Sequence, residues 1–296
     1  MATVVVVPPG PVRSRRVPHR LRAILRDPLA VVGLVVIGLL ILLAVAGPLI
    51  APYPGRDDMG AIDVSSSFLP PSFAHPFGTD DLGRDVYSRV ILGARPALVV
   101  SILVVGIAIL VGVPLGAIAG YRRGRIDGLI MRTTDLFLAF PPLLLAMAIV
   151  AALGPGLEHA ALALAISWWP WYARIARAVT VSLREQPFVD AARAIGVRDL
   201  TIIRRHIVPN SLSPIVVQAT VDVGTVILAA GSLAFIGLGA RPPQPDWGLM
   251  VADGRSVILD QWWVATFPGL AIFVTVLAFN LVGDVLLRVL DPRHGR

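Results

Sequence analysis

The chain contains no cysteine, no lysine and little charge of any kind, 15% of its 296 residues. The lack of cysteine excludes disulfides and thiolate metal sites. The lack of lysine is more telling, because all 26 basic residues are arginine. A phosphate-binding loop of the Walker A type needs a lysine to reach the terminal phosphates of a nucleotide. If ATP drives this protein, the ATPase is a separate polypeptide, and ATP and Mg²⁺ belong to that partner. The five histidines, His19, His75, His159, His206 and His294, are scattered without metal-ligand spacing. No polar catalytic constellation stands out, so the expectation is a non-enzymatic chain that binds no cofactor or metal of its own.

What the chain has is apolar surface: 56% of its residues are hydrophobic and its mean hydropathy is +0.77. Those values place it among integral membrane proteins. A net charge of +7 is compatible with nucleic-acid binding, but membrane proteins concentrate arginine in cytoplasmic loops, and that reading accounts for the charge. A helix crossing the hydrocarbon takes about 20 apolar residues. Six stretches qualify: 29–50, 97–120, 128–153, 159–179, 211–231 and 263–287. The third begins with the polar Arg132 and Asp135; the fourth holds Pro170 within the aromatic run Trp168, Trp169, Trp171 and Tyr172.

Arginine placement sets the orientation. Arg13, Arg15, Arg16, Arg20, Arg22 and Arg26 precede span one, and Arg122, Arg123 and Arg125 fill the turn between spans two and three. Arg174, Arg177, Arg184, Arg193, Arg198, Arg204 and Arg205 lie between spans four and five, and Arg288, Arg293 and Arg296 follow span six. With six spans these all fall on one side, which puts both termini in the cytoplasm. On the other side Arg56, Arg84, Arg89, Arg95, Arg241 and Arg255 are offset by acids that include Asp57, Asp58, Asp63, Asp80, Asp81 and Asp85. The competing reading of span one is a cleaved signal peptide with an A-x-A-like site at Ala44 to Ala46. Its apolar run is longer than a usual signal core, and its removal would break the charge pattern.

The loop 186–210 is the most informative segment. Phe188, Ala191, Ala192 and Ile195 stand at i, i+3, i+4 and i+7, one face of a short helix. Pro187 suits its first turn, Asp190 complements its positive end, and Gly196 suits its stop. A second short helix with Leu200, Ile203 and Ile207 follows, ended by Pro209. A small apolar face on the cytoplasmic side is buried either in a protein groove or at the lipid interface. The alanine pair favours a groove, since small side chains permit close approach.

The string from Asp190 to Gly196 (D-A-A-R-A-I-G), with H-I-V-P-N from His206 to Asn210, resembles the EAA loop of ABC importer permeases. Further strings narrow the likeness: Gly78–Arg89, Gly237–Gly248, F-P-G-L-A-I from Phe267, and Leu277–Arg293. Over about residues 26–293 the chain resembles the C-type permease subunit of dipeptide and oligopeptide importers in the bacterial inner membrane. The resemblance implies an all-α, six-span polytopic membrane protein with the type I ABC importer permease fold. It divides the chain into a cytoplasmic segment 1–28, span one, an extracytoplasmic segment 51–96, a five-span core 97–287 and a cytoplasmic tail 288–296.

It also implies the partners: a second homologous permease, two ABC ATPase subunits, an extracytoplasmic substrate-binding protein and the surrounding lipid, with no nucleic acid. Phe188, Asp190, Ala191, Ala192, Ile195 and Gly196 would form the helix that couples to the ATPase. Asp190 stands where the family usually has Glu, and Ala230 where relatives usually carry an acid. The same permease type serves dipeptides, oligopeptides, nickel and glutathione. An alternative of another class, a self-contained channel or secondary transporter, is signalled by inverted repeats, and none is visible here.

Two polar features remain. In span five Pro214, Gln218, Asp222 and Thr225 share one stripe; ionisable groups at membrane depth face an aqueous cavity or a neighbouring helix, so this stripe either lines the translocation pathway or bonds a neighbouring span. Asn280, Asp284 and Arg288 repeat near the end of span six as helix–helix contacts or a gate-side ion pair. Outside the membrane, Thr79 reads as the N-cap of a helix carrying Asp80 and Asp81 in its first turn, leading into span two.

Overall fold

The computed structural model describes residues 27–55 and 60–290. The arginines of the N-terminal segment from Arg13 to Arg26, with Arg56, Asp57, Asp58, Arg293 and Arg296, lie outside the described residues, as do His19 and His294. Among the described residues there is no strand, only an isolated bridge between Thr79 and Asp85.

The first helix, α1 (Pro28–Ile50), starts where Asp27 accepts backbone N–H groups from Leu29 and Ala30 and Pro28 presets the first turn. The second, α2 (Val86–Arg122), has 37 residues. At 1.5 Å per residue that is about 55 Å, far more than the roughly 30 Å of hydrocarbon. The helix therefore extends beyond the span expected at 97–120, beginning at Val86. The N-cap is Asp85, which accepts from the Ser88 N–H at 2.7 Å. Thr79 is not a cap. The stretch from Thr79 to Arg84 is a turn because Asp80 accepts the backbone N–H groups of Leu82 and Arg84 and folds the chain back on itself.

The third expected span is broken. Helices α3 (Gly124–Leu138) and α4 (Pro142–Leu153) meet at an angle of 84°. Pro142 opens α4, and Pro141 before it disfavours helical backbone at Phe140, so the apolar run cannot stay straight. Helix α5 (Leu157–Arg184) is long enough to cross. It is not among the helices apolar enough to span alone, which comprise α1, α2, the segment 199–235 and the last helix, because His159, Pro170 and the aromatic run Trp168 to Tyr172 dilute its apolar residues.

The loop after α5 holds α6 (Pro187–Ala194) and the single turn α7 (Asp199–Ile202). A π turn, Ile203–Ile207, then runs without interruption into α8 (Val208–Phe235). Pro209, expected from the sequence to end the second short helix, instead sits in the first turn of α8. The wider π turn, with Val208 N–H bonded to Ile203 O, takes up the backbone that a proline near a helix start leaves unbonded. The short α9 (Trp247–Gly254) lies beyond α8, and α10 (Trp263–Leu290) closes the chain.

Helices α2 and α5 form the closest contact. A Cβ added at Gly112, Gly116 or Gly120 would meet the backbone oxygen of Trp169, Ala173 or Arg177 at 2.4, 2.1 or 2.8 Å. These three glycines, four apart, lie against three residues of α5 that are also four apart. Small residues at that spacing let two membrane helices approach backbone to backbone. Around this seam a core of Val104, Ala108, Val150, Ala161, Leu164, Tyr172 and Ile215 is buried. Helix α10 packs on α8 and α1, with Gly283 against Val221 and Gly33 against Val282.

Candidate functional site

The outer face of α6 is where the sequence places contact with a partner. Its ends are well formed: the Gly196 N–H bonds Arg193 O and the Val197 N–H bonds Ala192 O, a two-bond C-terminal lock that needs Gly196 at φ +78°. An L-residue at that φ costs about 1–2 kcal/mol.

The apolar face is divided differently from the expected set. Phe188 is 41% and Ile195 80% exposed, and Asp190, Ala191 and Gly196 also face outward. Ala192 turns inward with Val189, packing on Ala117, Tyr121, Ile202, Ile203 and Ile207. At about 100° per residue, Ala192 lies only about 60° round the helix from Val189, so the inner cluster captures it. The exposed face is therefore Phe188, Ala191 and Ile195, with Val189 and Ala192 as its footing. Asp190 pairs with Arg193 at 3.3 Å, and Phe188 lies 6.2 Å from the His206 ring. Leu200, at the start of the second short helix, is 70% exposed; the buried isoleucines next to it are Ile202, Ile203 and Ile207.

Behind α6 is a residue whose role sequence reasoning missed. Tyr121, near the end of α2, is 4% exposed. Its hydroxyl donates to Asp199 Oδ1 at 3.0 Å and accepts from Arg193 Nε at 3.2 Å. The Arg193 guanidinium also sits over the ring, 5.1 Å from its centre. The hydrogen bond to Tyr121, and then Asp190 and Asp199, raise the pKa of Arg193 and keep it charged. The available signal was a lone tyrosine ahead of Arg122 and Arg123 at the end of a span. The glycine seam was legible too, as glycines at 112, 116 and 120.

The second set of residues lies on α8. Asp222 is buried and directed at α5: its Oδ2 accepts from Tyr172 Oη at 2.7 Å and its Oδ1 from Gln218 Nε2 at 3.0 Å. Thr225 is exposed and its hydroxyl bonds back to Val221 O. The structure thus brings Gln218 and Asp222 together with Tyr172 and leaves Thr225 apart. At the end of α10, Arg288 Nη2 lies 3.1 Å from Asp27 Oδ2, joining the first and last helices. Among the described residues no group of His, Asp or Glu could hold a metal ion.

At the opposite end of α2 the polar residues are locked together. Arg84 Nε donates to Asp80 Oδ2 at 2.7 Å, and His75 Nδ1 lies 2.9 Å from Asp85 Oδ1. Trp263 Nε1 donates to Thr79 O at 3.1 Å, and Arg89 Nη1 reaches Pro243 O at 3.4 Å. The string from Gly78 to Arg89 is the fastening of the segment before α2 onto α2 and α10.

A family model described as the binding-protein-dependent transport system inner membrane component matches residues 112–296, more than half of the chain. The chain belongs to that family. A second model, the N-terminal TM domain of oligopeptide transport permease C, matches residues 20–71. A probable D,D-dipeptide transport system permease protein of Escherichia coli is 46% identical over 269 residues, 91% of this chain and 89% of the relative. A dipeptide transport system permease protein of Alkalihalophilus pseudofirmus is 46% identical over 90% of this chain and 87% of its own. A glutathione transport system permease protein of Escherichia coli is 45% identical over 90% and 88%.

Among solved structures, an inward-facing methionine ABC transporter matches the fold with a TM-score of 0.56 at 18% identity, over 69% of this chain and 96% of that one. This binding-protein-dependent permease is thus an all-α, six-span inner membrane component of an ABC transport system, with the fold of type I importer permeases. The family match begins at Gly112 and includes the seam, Tyr121, α6 and the Asp222 contact.

Proposed function

We propose that this permease is one of two homologous membrane subunits that enclose the pathway of a peptide importer, and that α6 is the helix through which ATPase subunits drive it. The observation that carries the reading is the division of α6: Phe188, Ala191 and Ile195 are presented outward at the arginine-rich end, while Val189 and Ala192 fix the helix from behind. An apolar face held at the end of a rigid footing needs a partner to cover it. In this reading the arginine-rich end and both termini are cytoplasmic, two ABC ATPase subunits bind ATP and Mg²⁺ and seat one coupling helix each, and an extracytoplasmic binding protein delivers substrate. Phe188, Asp190, Ala191 and Ile195 touch the ATPase, Ala192 and Gly196 hold the helix in shape, and Gln218, Asp222 and Thr225 lie on the span facing the pathway. ATP-driven closure shifts the permease pair between inward-open and outward-open states, a shift that requires the nucleotide to bind one state more tightly.

Peptides are the proposed substrates because relatives named for dipeptide transport align with nearly the whole chain. The glutathione relative supports a second reading of the same class, in which the cargo is glutathione. The test is purification of the complex from native membrane, followed by ATPase assays with the binding protein and peptides of increasing length. Two ATPase subunits are expected to co-purify and to be lost in Phe188→Asp and Ile195→Asp, with the spans still inserted. Undiminished ATPase binding in both variants would overturn the coupling assignment. Stimulation by glutathione alone would select the second cargo.

A further inference from the structure

Helix α6 is eight residues long and is joined to α5 by only Glu185 and Gln186. A push on its outer face reaches the spans only through the residues behind it. One side chain gathers those contacts. The Tyr121 hydroxyl bonds Arg193 of α6 and Asp199 of α7, and the Tyr121 carbonyl accepts from Arg184 Nη1, at the end of α5, at 2.6 Å. The Arg184 and Arg193 guanidiniums lie 6.0 and 5.1 Å from the Tyr121 ring centre. Val189 and Ala192 of α6 pack into the same buried cluster as Tyr121. Two further ion pairs tie the end of α2 to the residues around α6, Arg123 with Glu185 and Arg122 with Asp199, and they join side chains about half exposed or more. Water and salt weaken such pairs, whereas the Tyr121 side of its contacts is 4% exposed and its ring is packed in the buried cluster.

We propose that Tyr121 is a positioning residue of the transport cycle, the clamp that makes α6, α7 and the ends of α2 and α5 move as one body. A displacement of α6 is then delivered into α2 and across the glycine seam into α5, rather than being absorbed in the loop 195–198. The proposal rests on the coupling reading of α6 for its role in transport, but the clamp itself is a mechanical claim that can be judged separately. Tyr121→Phe keeps the ring and its two guanidinium contacts and loses the hydroxyl bridge; Tyr121→Leu loses both.

The experiment uses the absence of native cysteine. Spin labels are placed on Ala194→Cys in α6 and Leu110→Cys in α2, both exposed, within the full complex assembled with cysteine-free partners. In the otherwise native protein the inter-label distance keeps one narrow distribution with and without ATP. In Tyr121→Leu it widens without nucleotide and shifts with ATP, and in Tyr121→Phe it changes less. Arg193→Gln, which leaves α2 untouched, also widens it. In proteoliposomes Tyr121→Leu raises the ATP hydrolysed per molecule imported several-fold, with the ATPase subunits still bound. Unchanged distributions in both Tyr121→Leu and Arg193→Gln overturn the clamp. So does a fall in uptake fully explained by loss of bound ATPase, since that is what a purely structural residue would give. If no ATPase accompanies the otherwise native protein, the coupling reading fails, and the nucleotide-free distributions still decide whether Tyr121 is a clamp.

Discussion

The two ends of α2 are fastened with the same residue types in opposite ways. At the Val86 end, Asp80, Arg84, Asp85 and Arg89 are between 1% and 4% exposed; Arg89 reaches Pro243 O in the loop before α9, and the neighbouring Thr79 carbonyl accepts from Trp263 of α10. At the Arg122 end the arginine–acid pairs are at the surface: the side chains of Arg123 and Glu185 are 47% and 62% exposed, and those of Arg122 and Asp199 54% and 49%. Burying charges is expensive and is repaid only by complete pairing, which fixes one geometry. Exposed pairs contribute little and re-form readily. The difference teaches that one end is held by buried, fully engaged charges and the other by surface pairs that can re-form. The sturdy attachments at the Arg122 end are aromatic and apolar, concentrated at Tyr121 and the Ile202, Ile203 and Ile207 cluster.

Four substitutions break or sharpen that contrast. The largest effect is expected at the Val86 end: Asp80→Ala leaves the buried Arg84 guanidinium only its 3.4 Å contact with Asp81 and costs about 3–5 kcal/mol, visible as a large loss of thermal stability in detergent. A change comparable to that of an exposed pair would mean that the buried network carries no tension. Gly116→Leu comes next, because its Cβ would sit 2.1 Å from Ala173 O; overpacking of about 3 kcal/mol or more should separate α2 from α5 and lower the melting temperature whatever happens at either end. Gly196→Ala then tests the Arg122 end: the φ of +78° sets a cost of about 1–2 kcal/mol. That loss should appear as weaker retention of ATPase subunits, with the melting temperature of the spans nearly constant. The smallest effect belongs to Glu185→Gln, which removes the 2.8 Å pair with Arg123 for about 1 kcal/mol or less. High salt should erase even that difference while leaving the Asp80→Ala deficit in place, a comparison read by thermal melts at two ionic strengths.

How far the sequence could be read depended on whether the deciding contacts were local. Helix α10 was expected at 263–287 and is Trp263–Leu290, since an uninterrupted apolar run is its own evidence. Helix α6 was legible because proline, aspartate and glycine mark its start, first turn and stop. The start of α2 was not legible: Thr79 and Asp85 are both good caps, and what selects Asp85 is the Asp80 turn and the Trp263 bond to Thr79, 184 residues away. The break between α3 and α4 was announced by Pro141 and Pro142, yet hydropathy alone runs straight across it. Span-five periodicity grouped Gln218 with Asp222 but could not identify Tyr172, 50 residues earlier, as the hydroxyl donor to Asp222. Nor could it tell that Ala192 faces the footing of α6, because the competing Val189 cluster assembles from three separate segments.

The seam between α2 and α5 has a consequence for how the chain is completed. Between its two halves the chain must make α3 and α4, of which α3 is polar along one side and leans on α5 through the Arg177–Asp127 and Arg174–Asp135 pairs. Chain order therefore makes α5 the completing element: Gly112, Gly116 and Gly120 of α2 and Asp127 and Asp135 of α3 all precede the helix that covers or pairs them, so any loss of α5 would leave both earlier helices unfinished at once.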